Sequence, residues 1–272
     1  MNVNNFKQFI KTNKFPILLV VITLLICSAN YQQETILSGW DTLHPEFNFS
    51  VYFNRIFFSV WQDHQVLAAL ATQAHASEIA RMLIYYPLSF FLPENLLRYS
   101  YFFLTIILGP LGIYYLIVKK VLREKTLTNE VSAFLGGLFY LLNLGTLQHF
   151  YVPFEMFATH FASLPWLFLI AIDYLERRNL KTLLFFFIVS FLSASLAHTS
   201  TLWFAFLGGF LIFLSTYILL RKKYREDLKS LLITITIFLL ANAFWLLPNL
   251  YFLINQGDSI SNSKIHSLFS EE

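Results

Sequence analysis

About seven long apolar runs, separated by short polar stretches whose positive charges collect in every second gap, constrain this chain more than any other feature. The runs fall near residues 15–31, 97–118, 131–150, 158–175, 180–197, 199–220 and 228–254. A helix needs about 20 apolar residues to cross the hydrocarbon core of a bilayer. Each run is therefore read as a membrane helix, and the expected fold class is all-α, a polytopic helical bundle. Composition agrees. Hydrophobic residues make up 57% of the 272 residues and charged residues only 13%, against about 25% charged in ordinary soluble domains. A water-soluble fold of this size could not cover so much apolar surface.

Charge placement orients the bundle, because Lys and Arg accumulate in cytoplasmic loops. Lys7, Lys11 and Lys14 precede the first run. Lys119, Lys120, Arg123 and Lys125 lie between the second and third, and Arg177, Arg178 and Lys181 between the fourth and fifth. Arg221, Lys222, Lys223, Arg225 and Lys229 lie between the sixth and seventh. These gaps read as cytoplasmic, with the N-terminus inside and the C-terminus outside a cell membrane. The positive charges serve topology, and nucleic-acid binding does not follow from a net charge of +3. A cleaved signal peptide is the competing reading of the first run; Ile26 before Cys27 argues against a lipoprotein cleavage site.

The whole chain, 1–272, reads as a single transmembrane domain with a long external loop at 32–96 and an external tail at 255–272. The tail reads as the opening of a further external loop. The chain is therefore expected to be a fragment, or the shortened half of a larger membrane protein, with a partner chain completing its site.

A loop of about 65 residues among short ones is usually functional. It begins Ser38-Gly39-Trp40-Asp41-Thr42-Leu43-His44-Pro45-Glu46. Pro45 suits a first helical position and Glu46 the first turn. The spacing predicts a helix over 45–61 with Phe49, Phe53, Ile56, Phe57, Val60 and Trp61 on one apolar stripe. Tyr52 and Arg55 fall mostly elsewhere. Such a helix either lies in the membrane interface or packs on its neighbours. Its N-terminus would favour an anion such as a phosphate, and Asp41 beside it could act as a general base or simply cap a turn. Glu46 alone leans toward dipole compensation, and His44 toward a polar turn.

Asp63, His64, His75, Glu78 and Arg81 follow, and could bind phosphate or sugar hydroxyls or belong to a solvated loop. The histidine spacing matches no metal motif, and with one cysteine no Cys-based site exists. The apolar run at 82–91 is too short to span and carries Pro87, so a broken interfacial or re-entrant segment is expected. Glu155 and His160 fall near an outer membrane boundary, where Glu155 would face an external cavity or be solvated. His198, in a turn between runs five and six, would line that cavity. Asn143 and Asn242 read as helix-to-helix hydrogen bonders. Gly136-Gly137 and Gly208-Gly209 read as points of close helix approach.

Together these features resemble the GT-C class of membrane glycosyltransferases, and within it the arabinofuranosyltransferase-like branch. The residues that carry the resemblance are Gly39-Trp40-Asp41, the Phe49 to Trp61 stripe, Tyr86-Pro87, and Phe150-Tyr151-Val152-Pro153-Phe154-Glu155. The chain departs from that class in two ways: Glu46 follows Asp41 at five residues rather than as a close pair, and the class usually has more helices.

The resemblance implies a sugar donor on a polyprenyl phosphate and a glycan, lipid or protein acceptor outside the membrane. It makes Asp41 the general base, with Glu46 as the second acid. Trp40, His44, His75, Arg81, Glu155, His160 and His198 would bind substrate. No metal ligand is assigned, and a divalent cation is left open as an assistant. Two other readings stand beside it: a non-catalytic membrane subunit or truncated fragment, and a lipid flippase or transporter, whose charged or broken midplane helices are not evident in the sequence.

Overall fold

The computed structural model describes residues 3–37, 48–58, 72–221 and 224–261, and every regular element among them is helical. Two helices, α1 (Val3–Thr12) and α2 (Lys14–Ala29), open the chain. Three short ones follow: α3 (Phe49–Phe57), α4 (Thr72–Ala76) and α5 (Ile79–Leu88). Next is α6 (Glu94–Leu116), which runs on through a π-helical turn at Ile117–Leu122. Then come α7 (Leu127–Leu142), α8 (Leu144–Tyr151), α9 (Glu155–Arg177) and α10 (Leu180–Leu192). A 3-10 turn at Ala194–Thr199 leads into α11 (Ser200–Arg221), α12 (Tyr224–Ala241) and α13 (Ala243–Ser261).

Local chemistry sets many of the boundaries. The Asn48 side chain accepts from the Val51 amide at α3, Thr126 from Asn129 at α7, and Asn179 from Lys181 at α10. Each satisfies an orphan N–H of a first turn. Glu94, Glu130 and Glu155 place negative charge in first turns, where the helix dipole favours it. Arg178 closes α9 with φ 52°, and its guanidinium reaches Glu226 at 2.6 Å and Asp227 at 3.1 Å on α12.

Among the described residues, helices α6 and α9 make the most extensive contact, with α7 and α2 flanking α6. A second core joins α9 to α13 and is rich in aromatic rings. Trp203 lies parallel to Phe238 at 5.2 Å and edge-on to Trp245 at 4.9 Å. A third, smaller core holds α3 and α5 against α6 through Tyr52, Ile56, Met82, Tyr85, Leu97 and Tyr101.

Three helical stretches are long and apolar enough to cross a membrane: Glu94–Leu122, Glu155–Arg177 and Ala194–Arg221. Arg225–Ala241 with Ala243–Asn255 adds a fourth if that pair, bent by 81°, is one span. Large apolar side chains such as Leu135, Phe139, Leu220 and Leu247 point outward, as expected where lipid is the solvent. The apolar helices α2, α7 and α10 have 16, 16 and 13 residues. At 1.5 Å per residue these are about 20–24 Å long, under the roughly 30 Å of a hydrocarbon core. Among the described residues, three to four stretches are thus long and apolar enough to cross a membrane; a bundle of seven spans goes beyond what length alone supports.

Several sequence expectations change here. The 131–150 run breaks after Leu142, and the 228–254 run breaks after Ala241. Asn143 joins the two consecutive helices that meet at it, not two distant ones: its amide donates to Tyr140 O of α7 at 2.7 Å, and its carbonyl accepts from the Thr146 amide of α8 at 3.2 Å. Asn242 likewise donates to Phe238 O at 2.9 Å and accepts from Trp245 Nε1 at 2.9 Å. Each asparagine stabilises its own chain break, where a side-chain amide replaces lost backbone partners.

Gly137 permits close approach, because a Cβ there would lie 2.8 Å from Leu19 Cδ1 and 3.1 Å from Pro110 O. Gly208 and Gly209 face open space and mediate no approach. Pro87 does not break its segment, since α5 runs from Ile79 to Leu88 with Pro87 in the last turn. The stripe on α3 is also rotated. Tyr52 and Ile56 are buried, whereas Phe57 is 64% exposed.

Candidate functional site

Two arginines and two glutamates meet in the interior at the end of the bundle where α5, α6 and α9 converge, here called the loop end. Arg81 comes from the first turn of α5, and Glu78 precedes that helix. Arg98 lies in the second turn of α6, and Glu155 opens α9. All four are buried, at 5% exposure or less.

Arg98 Nε donates to Glu155 Oε1 at 2.6 Å. Arg81 Nη1 reaches the same oxygen at 3.1 Å. Arg81 Nε donates to Glu78 Oε2, and Arg81 Nη2 donates to the Tyr52 hydroxyl at 3.0 Å. The guanidinium of Arg81 thus ties α3, α5 and α9 together. Burial opposes its charge, but the adjoining Glu78, Tyr52 and Glu155 outweigh burial and hold it protonated well above its usual range. Burial pushes the Tyr85 phenol in the opposite sense of ionisation, well above its usual value, and the Glu155 charge adds to that shift.

The surroundings are hydroxyl-rich. The Tyr101 hydroxyl and Thr159 Oγ1 share a hydrogen bond at 2.6 Å. Among the described residues Glu78 Oε1 has no hydrogen-bond partner, and His198 Nδ1 lies 3.9 Å from it. His198 Nδ1 is also 3.1 Å from Ala74 O. This contact draws the 3-10 turn at Ala194–Thr199 onto α4, which also packs against α13.

Of the residues expected at the site, Arg81 and Glu155 are brought into direct contact, with His198 at the edge of the cluster. His75 is buried in α4, so the solvated-loop alternative for His75, Glu78 and Arg81 fails. Solvation of Glu155 fails for the same reason. His160 is not part of the cluster. It lines a separate cavity of about 410 Å³ with Asn143, Thr146 and Phe206, its ring edge-on to Phe206 at 5.1 Å. Trp40, Asp41, His44 and Glu46, with Asp63 and His64, lie outside the described residues.

The sequence pattern did not single out Arg98, Tyr52, Tyr101 or Thr159. Arg98 carries the signal that could have found it. An ionisable residue inside an apolar helix is a functional candidate by default, and Glu155 is its mate at the same end. Tyr52 gives no such signal, because a tyrosine on an amphipathic helix suits either face.

Among the described residues, no group of three or more His, Cys, Asp or Glu side chains could hold a metal ion. The cluster itself suits a cation poorly, since both carboxylates are engaged by guanidiniums. It offers two rigid, permanently charged forks whose present partners are carboxylates, groups that a phosphate resembles in bidentate geometry. Comparison with protein-family models, curated proteins and solved structures returned no match.

Proposed function

We propose that this chain is a membrane glycosyltransferase that takes a sugar from a polyprenyl-phosphate donor and transfers it to a glycan, lipid or protein acceptor on the outer side of a cell membrane. The observation that carries this reading is the buried Arg81–Arg98 pair at the loop end. Two guanidiniums held at one point are suited to a lipid phosphate, which would exchange with Glu155 and Glu78 as their partner.

The likeness to the GT-C class in Gly39-Trp40-Asp41 supplies the base. Thr35 Oγ1 bonds the hydroxyl of Tyr99, the residue that follows Arg98 in α6, at 2.8 Å. Asp41 follows six residues later, and six residues reach at most about 20 Å. The reading requires that this span bring Asp41 to the arginines. In the reaction, the acceptor hydroxyl oxygen bonds to the anomeric carbon while its proton passes to the Asp41 carboxylate. The bond between that carbon and the phosphate oxygen breaks, and the lipid phosphate leaves with the electron pair, balanced by Arg81 and Arg98.

The topology that goes with this reading has seven crossings, the N-terminus in the cytoplasm and the loop end outside. The alternation of basic gaps supports it. The short helices α2, α7 and α10 then cross by local thinning of the bilayer.

A non-catalytic membrane subunit is the second reading. It is favoured by one observation: the two guanidiniums and two carboxylates already balance, as in a clamp fixing α5 to α6 and α9. The deciding experiment measures transfer of radiolabelled sugar from a polyprenyl-phosphate pool in membranes expressing the chain, beside Asp41→Asn at equal protein level. Transfer by the wild type that Asp41→Asn abolishes supports the glycosyltransferase. Equal transfer by both removes Asp41 from the chemistry. No transfer by an inserted, folded chain favours the subunit.

A further inference from the structure

A second site lies at the opposite end of the bundle, independent of the reading above. The gap between α6, α9 and α10 holds two cavities whose walls share Trp166 and Phe185. One, of about 830 Å³, sits where the π-helical turn Ile117–Leu122 leaves α6. Six cationic side chains line it against three acidic ones, Glu130, Asp173 and Glu176. The acids are largely spoken for. Lys120 Nζ donates to Asp173 at 2.5 Å and to Glu176 at 2.7 Å, and Arg123 Nη2 donates to Glu176 at 3.0 Å. Lys119, whose ammonium sits 5.0 Å over the Tyr115 ring, and the exposed Lys181 are left as surplus positive charge on the rim.

The other cavity, of about 310 Å³, is apolar. Leu104 and Leu108 of α6 form one wall, Ile188 and Leu192 of α10 the other, and α9 the floor. Leu104, Ile188 and Leu192 are exposed, so this slot opens sideways, toward lipid if the helices cross a membrane. Trp166 stands at the junction, with Nε1 donating to Leu108 O at 3.0 Å.

We infer that this pair of cavities is a binding site for an anionic phospholipid. Its phosphate would sit among Lys119, Arg123 and Lys181, and one hydrocarbon chain would run past Trp166 into the slot between α6 and α10. Charge decides the head group. Basic pockets between membrane helices select anionic lipids, with each Lys or Arg near the surface contributing about 1 kcal/mol. Shape and apolarity decide the tail: a free phosphate would leave the slot unused, and a zwitterionic lipid would leave the excess positive charge unmatched. The π-helical turn Ile117–Leu122 carries Lys119 and Lys120 at this cleft. Irregular turns of this kind often mark functional sites.

The test is quenching of tryptophan fluorescence by phospholipids brominated on the acyl chain, with the full chain reconstituted in phosphatidylcholine vesicles. Brominated phosphatidylglycerol is expected to quench at lower mole fraction than brominated phosphatidylcholine. A Trp166→Phe variant should lose that selective component. A double variant, Lys119→Gln with Lys181→Gln, changes two exposed side chains and should lower the preference for phosphatidylglycerol on the order of tenfold. Equal quenching by the two lipids, or a preference untouched by the double variant, overturns the inference. Selective quenching that persists in Trp166→Phe moves the lipid elsewhere and overturns it too. Relief of the quenching by millimolar inorganic phosphate would reassign the cleft to a free anion.

Discussion

Arg98 Nε lies 2.6 Å from Glu155 Oε1, joining α6 to α9 across 57 positions of sequence at a depth where both side chains are at most 6% exposed. Neither residue could be buried alone. A single charge taken out of water costs several kcal/mol, and only close pairing with further hydrogen bonds offsets it. Arg81 supplies the further contact, and through it α5 becomes part of the membrane bundle.

Breaking that pair should cost more than its net contribution, because it strands a buried charge. Glu155→Ala is expected to destabilise the protein by about 3–5 kcal/mol, read as a lower thermal midpoint in detergent. A midpoint within error of the wild type would mean that Arg98 has another adequate counter-charge.

The Tyr52 hydroxyl accepts from Arg81 at 3.0 Å, so Tyr52→Phe removes one bond to a charged group and changes nothing else in size. A loss of about 1.5–3 kcal/mol is expected. Hydrogen exchange should rise in α3 more than in α9, since the lost bond is the one that ties α3 to the buried cluster. Unchanged protection in α3 would show that its apolar packing is sufficient.

Asn242 and Trp245 are coupled in the same way at the bend between α12 and α13. Asn242→Leu leaves the fully buried Trp245 Nε1–H without its acceptor, at a cost of about 1–3 kcal/mol. Trp245→Phe in that background should recover part of the loss. A double-mutant cycle that shows no coupling would refute the assignment of the bend to this bond.

The two glycine pairs separate cleanly. Gly137→Val meets Leu19 and the Pro110 carbonyl and should destabilise by about 1–3 kcal/mol through overpacking. Gly209→Ala meets nothing within 4 Å and should be neutral, or stabilising by up to about 1 kcal/mol from helix propensity. Thermal unfolding of the two variants side by side checks this, and a larger loss at Gly209 would reverse it.

The apolar runs determined where the helices lie, because sustained hydrophobicity is a local property and lipid or core burial is its only outlet. The helical runs from 94, 155 and 200 could be read in this way. The breaks at Asn143 and Asn242 could not, because an asparagine inside an apolar run bonds equally well to a neighbouring helix or to its own turn. Only the packed backbone decides between them.

For the candidate site, Glu155 was visible as a charge among apolar neighbours and Arg81 as a candidate binder in the long loop, but their partnership was not. Arg81 and Glu155 are 74 positions apart, and Arg98 and Glu155 are 57 apart. Whether such charges meet depends on which helices are neighbours and how each is rotated. The sequence by itself determined that this chain must bury long helices in an apolar setting. The tertiary structure alone decided which charges neutralise one another, because pairing in a low-dielectric interior depends on distances of a few ångströms that no spacing along the chain encodes.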